Sequence, residues 1–350
     1  MSTTAAPGGD APGAFAALTP ERVLDALSDA GWHPDGRMLQ LNSYENRVFQ
    51  LFLDDGSAAV AKFYRPQRWS DAQILEEHAF ALELAAADVP VVAPEPMSAE
   101  RADLRRVRLA GTPPTLATAL DGGFRFSVSR RHAGRAPDLD DPAVAAWLGR
   151  FIGRLHAVGA RRPFVHRRTL EPAAWGDASR DWLLAHDAVT PAERAGWQAA
   201  CDAALALVHA AFARVPGLRL LRLHGDCHLG NVLWREAGDD GGGGPHVVDL
   251  DDACNGPAMQ DLWMLQPEGP HAAASWAALL DGYRVFMPLD ERELALVEPL
   301  RTLRMLHHSA WLARRWHDPA FPAAFPWFGT PAYWSQQTTQ LREQVELMSA

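Results

Sequence analysis

The stretch His224–Asp261 reads HGDCHLGNVLWREAGDDGGGGPHVVDLDDACNGPAMQD, and its pattern decides how the rest of the chain is read. Asp226 and Asn231 stand five residues apart, with His224 two before the aspartate. An apolar run, Asn231-Val232-Leu233-Trp234, leaves this first loop. A second, His246-Val247-Val248, leads directly into Asp249. Between them Gly238–Pro245 is acidic and holds four consecutive glycines, the composition of a hairpin turn. A two-stranded ribbon then returns Asn231 and Asp249 to the same end. Two hard oxygen donors at one edge, with a third carboxylate nearby, suit a Mg²⁺ that carries phosphates.

The Asp226-to-Asn231 spacing is that of the kinase catalytic loop, where the aspartate meets the acceptor hydroxyl and the asparagine meets metal. Phosphoryl transfer needs clamped phosphates, a metal and an oriented hydroxyl, with little covalent work for the protein. On this scheme Asp226 accepts the hydroxyl proton, and Asn231 and Asp249 hold Mg²⁺. Lys62 pairs with phosphates, Glu77 steadies Lys62, and His224 braces its loop by hydrogen bonds. Three plainer readings compete. A transition-metal cluster of His224, Asp226, Cys227 and His228 lacks both a His-x-x-x-His and a Cys-x-x-Cys spacing. A calcium loop at Asp249-x-Asp251-Asp252 lacks the glycine and closing glutamate of an EF-hand. Solvated turns are the third, but Asp226 and Asp249 abut apolar segments, where stray carboxylates are costly.

Composition bounds the partners. The 350 residues, 48% of them apolar, suffice for a large core and one or two lobes. A net charge of −10 argues against a nucleic-acid partner. Three scattered cysteines, Cys201, Cys227 and Cys254, do not make a disulfide framework and point to a reducing compartment. No apolar run of about 18 residues and no secretory signal pattern occurs. A soluble cytoplasmic protein with no membrane partner is expected. The chain has no Gly-x-x-x-x-Gly-Lys-Ser/Thr, no Gly-x-Gly-x-x-Gly after its first strand and no Gly-x-Ser-x-Gly.

Along the chain, residues 1–17 are expected to be a disordered tail. Thr19-Pro20-Glu21 opens a helix. Leu39–Asp54 and Ala58–Tyr64 read as strands joined by the turn Asp54-Asp55-Gly56-Ser57. Val60, Lys62 and Tyr64 share one strand face. Ser70-Asp71 begins a helix to about Ala87 that carries Glu77; the plain alternative is that Glu76 and Glu77 are both solvated. Further strands are expected at Val89–Ala93, Arg106–Leu109 and Phe124–Ser129, with 99–123 between them undetermined. Beyond Ser129–Gly134 the pattern turns helical, at 141–158, 182–184, 192–215, 273–287 and 290–315, before an aromatic, Pro-rich tail. The fold expected is α+β: an antiparallel-sheet N-terminal lobe with one main helix (18–131, ATP-binding) and a larger, mainly helical C-terminal lobe (132–350, catalytic and substrate-binding).

Long motifs carry a family resemblance: LNSYENRVFQ at 41–50, KFYRPQRW at 62–69, ILEEHAFAL at 74–82 and VPVVAP at 89–94. It continues through LRLHGDCHLGNVLWR at 221–235, VVDLDDACNGPAMQDLWML at 247–265 and LARRWHDPAFPAAFPWF at 312–328. The chain resembles the bacterial stress response kinase A family of Ser/Thr protein kinases, within the aminoglycoside phosphotransferase and choline kinase-like fold. That resemblance implies an ATP- and Mg²⁺-dependent, cytoplasmic, monomeric kinase of protein Ser/Thr, with autophosphorylation an option, linked to stress. It also implies Asp226 and Asp249 as active-site acids, Asn231 and Asp249 as metal ligands, Ser43 at the ATP site, and Lys62–Glu77 as the lysine–glutamate pair. The adenine hinge falls near Arg130–Ala133. Related folds phosphorylate aminoglycosides, choline or homoserine with nearly the same residues, so a small-molecule acceptor is the alternative. A non-catalytic kinase-like binding module is the second. The tail's Trp311, Trp316, Phe321, Phe325, Trp327, Phe328 and Trp334 suit either a quaternary-ammonium cage or ordered packing, with Arg314 and Arg315 placed to meet an acidic or phosphorylated substrate or to form salt bridges.

Overall fold

The computed structural model describes residues 13–97, 104–119, 123–236 and 243–350. The expected tail up to residue 12, parts of the undetermined stretch 99–123 and the glycine turn at 237–242 lie outside the described residues. The chain is ordered earlier than its composition suggests. Phe15 is buried and stacks on Phe124 with ring centroids 6.1 Å apart, because one large ring outweighs the small residues around it.

Helix α1 (Pro20–Asp29) starts where Thr19 Oγ1 accepts the Arg22 N–H, and it buries Val23, Ala26 and Leu27. Strands β1 (Pro34–Gln40), β2 (Arg47–Leu53) and β3 (Ala58–Phe63) precede helix α2 (Asp71–Ala86). Strands β4 (Leu104–Val107), β5 (Leu116–Ala119) and β6 (Arg125–Arg130) follow it. The six form one antiparallel sheet in the order β1-β2-β3-β6-β5-β4. Period-two alternation sends Ala59, Ala61 and Phe63 of β3 into the core beside Phe49, Leu51, Phe126 and Val128. Val60 and Lys62 therefore take the other face. Helix α2 is opened by a capping box between Ser70 and Gln73 and buries Ile74, Glu77, Phe80 and Leu84.

Three expectations change. The strand at Val89–Ala93 reduces to a bridge between Val91 and Val247, since Pro90 and Pro94 bracket it without N–H donors. Strand β1 begins before Leu39, in a Pro-Asp-Gly-Arg sequence whose side chains are mostly exposed and which reads as a turn. The aromatic tail is largely helix.

That helical half comprises α3 (Pro142–Gly159), α4 (Ala178–Ala185) and α5 (Pro191–Ala213), then β7 (Leu221–Leu223), β8 (Val232–Arg235), β9 (Gly244–Val247) and β10 (Cys254–Gly256). It ends with α6 (Met259–Trp263), α7 (Ala272–Arg284), α8 (Val297–Arg315), α9 (Ala320–Ala324) and α10 (Pro331–Ser349). Strands β8 and β9 are antiparallel, with Val232 opposite Val247, and the Val248 N–H donates to the Asn231 carbonyl at 3.0 Å. The expected ribbon is there, with Asn231 and Asp249 at one end. Helix α3 lies so close on α7 that a Cβ at Gly149 would sit 1.9 Å from the Leu279 carbonyl oxygen.

Trp334 of α10 is fully buried against Trp197, ring centroids 5.7 Å apart, and the Trp197 Nε1–H donates to Gln337 at 2.7 Å. Trp334→Ala is expected to cost about 3–5 kcal/mol of unfolding free energy, read as a lowered denaturant midpoint at constant slope. An unchanged midpoint would mean that the C-terminal segment is a cover and not core.

Candidate active site

The loop after β7 is held from beneath by a carboxylate. Asp261, on α6 and fully buried, accepts the backbone N–H groups of His224 and Gly225, each at 2.8 Å. It also accepts His156 Nε2–H from α3 at 3.0 Å. Burial alone would raise its pKa, but the hydrogen bond from His156, the nearness of His156 and His224, and the Gly225 N–H outweigh burial and hold it below the usual carboxylate range. His224 Nε2 donates to the Val248 carbonyl at 2.9 Å, so Nδ1 is left to accept the Asp226 N–H at 3.2 Å. Both ring nitrogens are spent on backbone, which is the bracing expected of this residue. Gly225 has φ 85°, and a Cβ there would meet the Asp252 carbonyl oxygen at 2.3 Å.

From this base the loop closes on itself. The Asp226 carbonyl accepts the His228 N–H and the Asn231 Nδ2–H, each at 2.9 Å. Asn231 thereby directs its amide nitrogen inward and its oxygen elsewhere. Asp249 ends the ribbon in the left-handed region, φ 60° and ψ 63°, a strained setting for a residue with a Cβ.

Ser43, Lys62, Glu77, Asp226, Asn231 and Asp249 all line one cavity of about 820 Å³ between the sheet and the helical half. Ser129, Arg130, Arg131 and His132, around the expected hinge, line it too. Ser43 Oγ donates to the Asn46 carbonyl at 3.2 Å, which curls the 42–46 loop.

The lysine–glutamate pair is arranged differently from expectation. Lys62 Nζ donates to Asp249 Oδ1 at 2.9 Å and lies 3.3 Å from Asp251 Oδ1. Burial would lower the Lys62 pKa, yet the two carboxylates raise it well above the ordinary lysine value. Glu77 instead stands 3.8 Å from His78 Nε2. Burial lifts Glu77 to about 7 and takes His78 down to about 3. Nor is Glu76 solvated: it accepts the backbone N–H groups of Val165, His166 and Arg167 at 2.6, 2.8 and 2.8 Å.

Several residues of the site had no role assigned from sequence. Asp251 is buried and takes Asn46 Nδ2–H at 3.0 Å, Arg68 Nη1–H and the Lys62 ammonium. Burial opposes its charge, but Arg68, Lys62 and Arg167 hold it well below the carboxylate range. Arg304 of α8 donates through Nη1 to Asp226 Oδ1. Glu45 receives Trp311 Nε1–H at 2.5 Å and Arg315 Nη2–H at 3.0 Å, which ties the 42–46 loop to α8. Only Asp251, two residues from Asp249, had a local signal.

The transition-metal reading fails here: Cys227 is buried, His224 is committed to backbone, and no group of three or more His, Cys, Asp and Glu among the described residues is placed to hold a metal. An amide oxygen and a carboxylate at one ribbon end fit a hard cation that completes its shell from phosphate oxygens.

Glu77 makes a pH prediction. Its pKa is about 7 in the folded chain against 4.5 ordinarily. Between these values the folded chain holds a proton that the unfolded chain has released, so raising the pH through this window favours unfolding. Comparing denaturant melts of wild type and Glu77→Gln from pH 4.5 to 7 should show wild type losing up to ~3 kcal/mol more than the variant. Parallel profiles would place the titration elsewhere.

Comparison with known proteins identifies the family. The phosphotransferase enzyme family matches residues 38–289. Stress response kinase A of Salmonella choleraesuis (strain SC-B67) is 39% identical over 335 residues, covering 95% of this chain and 94% of that protein. Its Escherichia coli K12 counterpart is 38% identical over 336 residues, with the same coverage. Among solved structures, amicoumacin kinase superposes with a TM-score of 0.67 at 18% identity, covering 93% of this chain and 92% of that one. A microcompartment-associated aminopropanol kinase gives 0.66 at 19%, covering 95% and 97%. At such identities these two report the shared kinase-like fold. The chain belongs to the phosphotransferase enzyme family and, within it, to the group of stress response kinase A proteins.

Proposed function

We propose that this protein transfers the γ-phosphate of ATP to Ser/Thr hydroxyls of proteins in a stress response, acting as a monomer in the cytoplasm. The observation that carries the reading is the convergence of Asp226, Asn231, Asp249 and Lys62 on one cavity between sheet and helices. The protein acceptor is favoured by relatives named stress response kinase A and, in Salmonella typhimurium, serine/threonine protein kinase, at 39% identity over 95% of this chain. Three free cysteines, all buried, suit a reducing compartment.

Each residue has a chemical task. The acceptor oxygen forms the new bond to the γ-phosphorus while its proton passes to a carboxylate oxygen of Asp226. The bond from that phosphorus to the β–γ bridging oxygen breaks, leaving ADP. Lys62 turns its ammonium from Asp249 and Asp251 to phosphate oxygens, and Glu77 adds negative charge beside it when ionised. Ser43 and the 42–46 loop cover the phosphates, and the backbone near Arg130–Ala133 meets adenine. Asn231 and Asp249 would hold Mg²⁺, which neutralises phosphate charge when bound.

Asp226→Asn keeps the size of the side chain and removes the proton acceptor. It is expected to lower kcat by about 10²–10⁴ with little change in ATP binding measured by calorimetry. Asp249→Ala is expected to abolish turnover by weakening Mg·ATP. Full turnover in both variants would place the activity elsewhere or in a contaminant. Labelled ATP added to lysate with wild-type protein should mark protein bands. Label confined to small metabolites would replace the protein acceptor by a small hydroxyl compound.

A further inference from the structure

Beyond the groups assigned to the transfer, α8 and the loop before α4 carry further cations, of which Arg304 and His308 line the cavity and Arg168 and Arg314 lie outside its lining. Arg304, His308 and Trp311 line the cavity at helical spacing along α8. Outside that lining, the Arg168 guanidinium lies over the Trp69 indole, 4.8 Å from the ring centroid, and Arg314 lies over Trp182 at 5.2 Å. Neighbouring arginines are committed: Arg68 to Asp251 and Asp252, Arg315 to Glu45. Among the described residues, neither Arg168 nor Arg314 has a carboxylate within ion-pair distance.

The two are also crowded by like charge. Burial and then Arg68 pull the Arg168 pKa down against the attraction of Asp252; burial and then Arg168 and Arg315 do the same to Arg314. His307, packed on Trp175 at 4.5 Å, has a buried Nδ1 with no partner in the same cluster. In a chain of net charge −10, Arg168 and Arg314 form a local group of cations near Arg68 and Arg315, and Arg304 of the same α8 reaches Asp226. Arg168 is exposed and Arg314 half-buried, so both guanidinium groups are open to an incoming anion.

Arg304 adds an independent reason. Its Nη1 occupies Asp226 Oδ1, an oxygen that would receive the hydroxyl proton, while Oδ2 faces His228 Nε2 at 3.5 Å. An incoming anion that draws Arg304 away frees that oxygen.

We propose that the acceptor is an acidic Ser/Thr segment, whose carboxylates are bound by Arg168, Arg314 and Arg304, the last releasing Asp226 as it engages them. This rests on the reading of the protein as a kinase of protein Ser/Thr. Recognition and activation are then coupled, because the charge that docks the segment also uncovers the base.

The test uses the full chain and three peptides of equal length, each with one serine, flanked by glutamates, by glutamines or by lysines. For wild type, kcat/KM for the glutamate peptide is expected to exceed that for the glutamine peptide by roughly tenfold, and the advantage should shrink with added salt. In R168E/R314E the preference should pass to the lysine peptide. If that variant fails to fold by circular dichroism, R168Q/R314Q keeps much of the bulk and should bring the ratio near one. Equal rates for all three peptides with wild type, or a preference that neither variant moves, overturns the inference alone. ATP consumption with transfer to no peptide overturns the protein-acceptor reading and this inference with it.

Discussion

Taking the Asp261 carboxylate wholly out of water is costly unless hydrogen bonds replace its hydration. Three are supplied: two N–H groups from the start of the active loop and the ring N–H of His156. His156 is itself held by Tyr283 of α7 at 3.0 Å. The loop cannot slide without leaving a buried charge unsatisfied, so its position is inherited from the packing of α3, α6 and α7. Everything downstream follows by short range: His224 joins the Val248 carbonyl, Asn231 joins Asp226, and the ribbon returns Asp249. The oxygens of Asp226, Asn231 and Asp249 that line the cavity are thus positioned by His156, His224 and Asp261, none of which lines it.

The parts legible in the sequence are those set by local chemistry. The ribbon was readable because a glycine turn and two apolar runs lie within one 38-residue stretch. The α2 helix was readable from its capping residues and periodicity. What stayed hidden depends on distant partners. Glu45 finds Trp311 and Arg315 across 266 and 270 residues, and Arg304 finds Asp226 across 78. No spacing rule reports such pairs. Strand β5, Leu-Ala-Thr-Ala, is too short and too small-sided to announce itself. Helices α9 and α10 were masked by prolines at 319, 322, 326 and 331, of which Pro331 merely opens α10 at its first turn.

The Lys62–Glu77 arrangement shows why matching a motif position does not give its contacts. Period two and helical spacing place both side chains in the cavity, as expected. Which anion the ammonium chooses depends on distance and on the state of each acid. Asp249 and Asp251 stand within 3.3 Å, and Asp251 is kept charged by Arg68, whereas burial leaves Glu77 near its midpoint at neutral pH. Asp251, kept charged, and Asp249, at hydrogen-bond distance, take the lysine.

Helix α8 connects the two ends of the site. Arg304 sits on Asp226; two turns on, Trp311 holds Glu45, and one turn beyond that Arg315 does the same. Glu45 lies in the loop that carries Ser43, so that loop and Asp226 are both anchored to one helix. Burial disfavours the Glu45 charge, but Arg68, Arg315 and Arg65 together keep its pKa low. The loop is therefore fastened by an anion that persists across the working pH range. A displacement of α8 large enough to move Arg304 from Asp226 strains the Glu45 contacts, whereas a rotation of the Arg304 side chain alone does not. Asp226 Oδ1 is most cheaply uncovered by that side chain, with the helix and the loop it holds left in place.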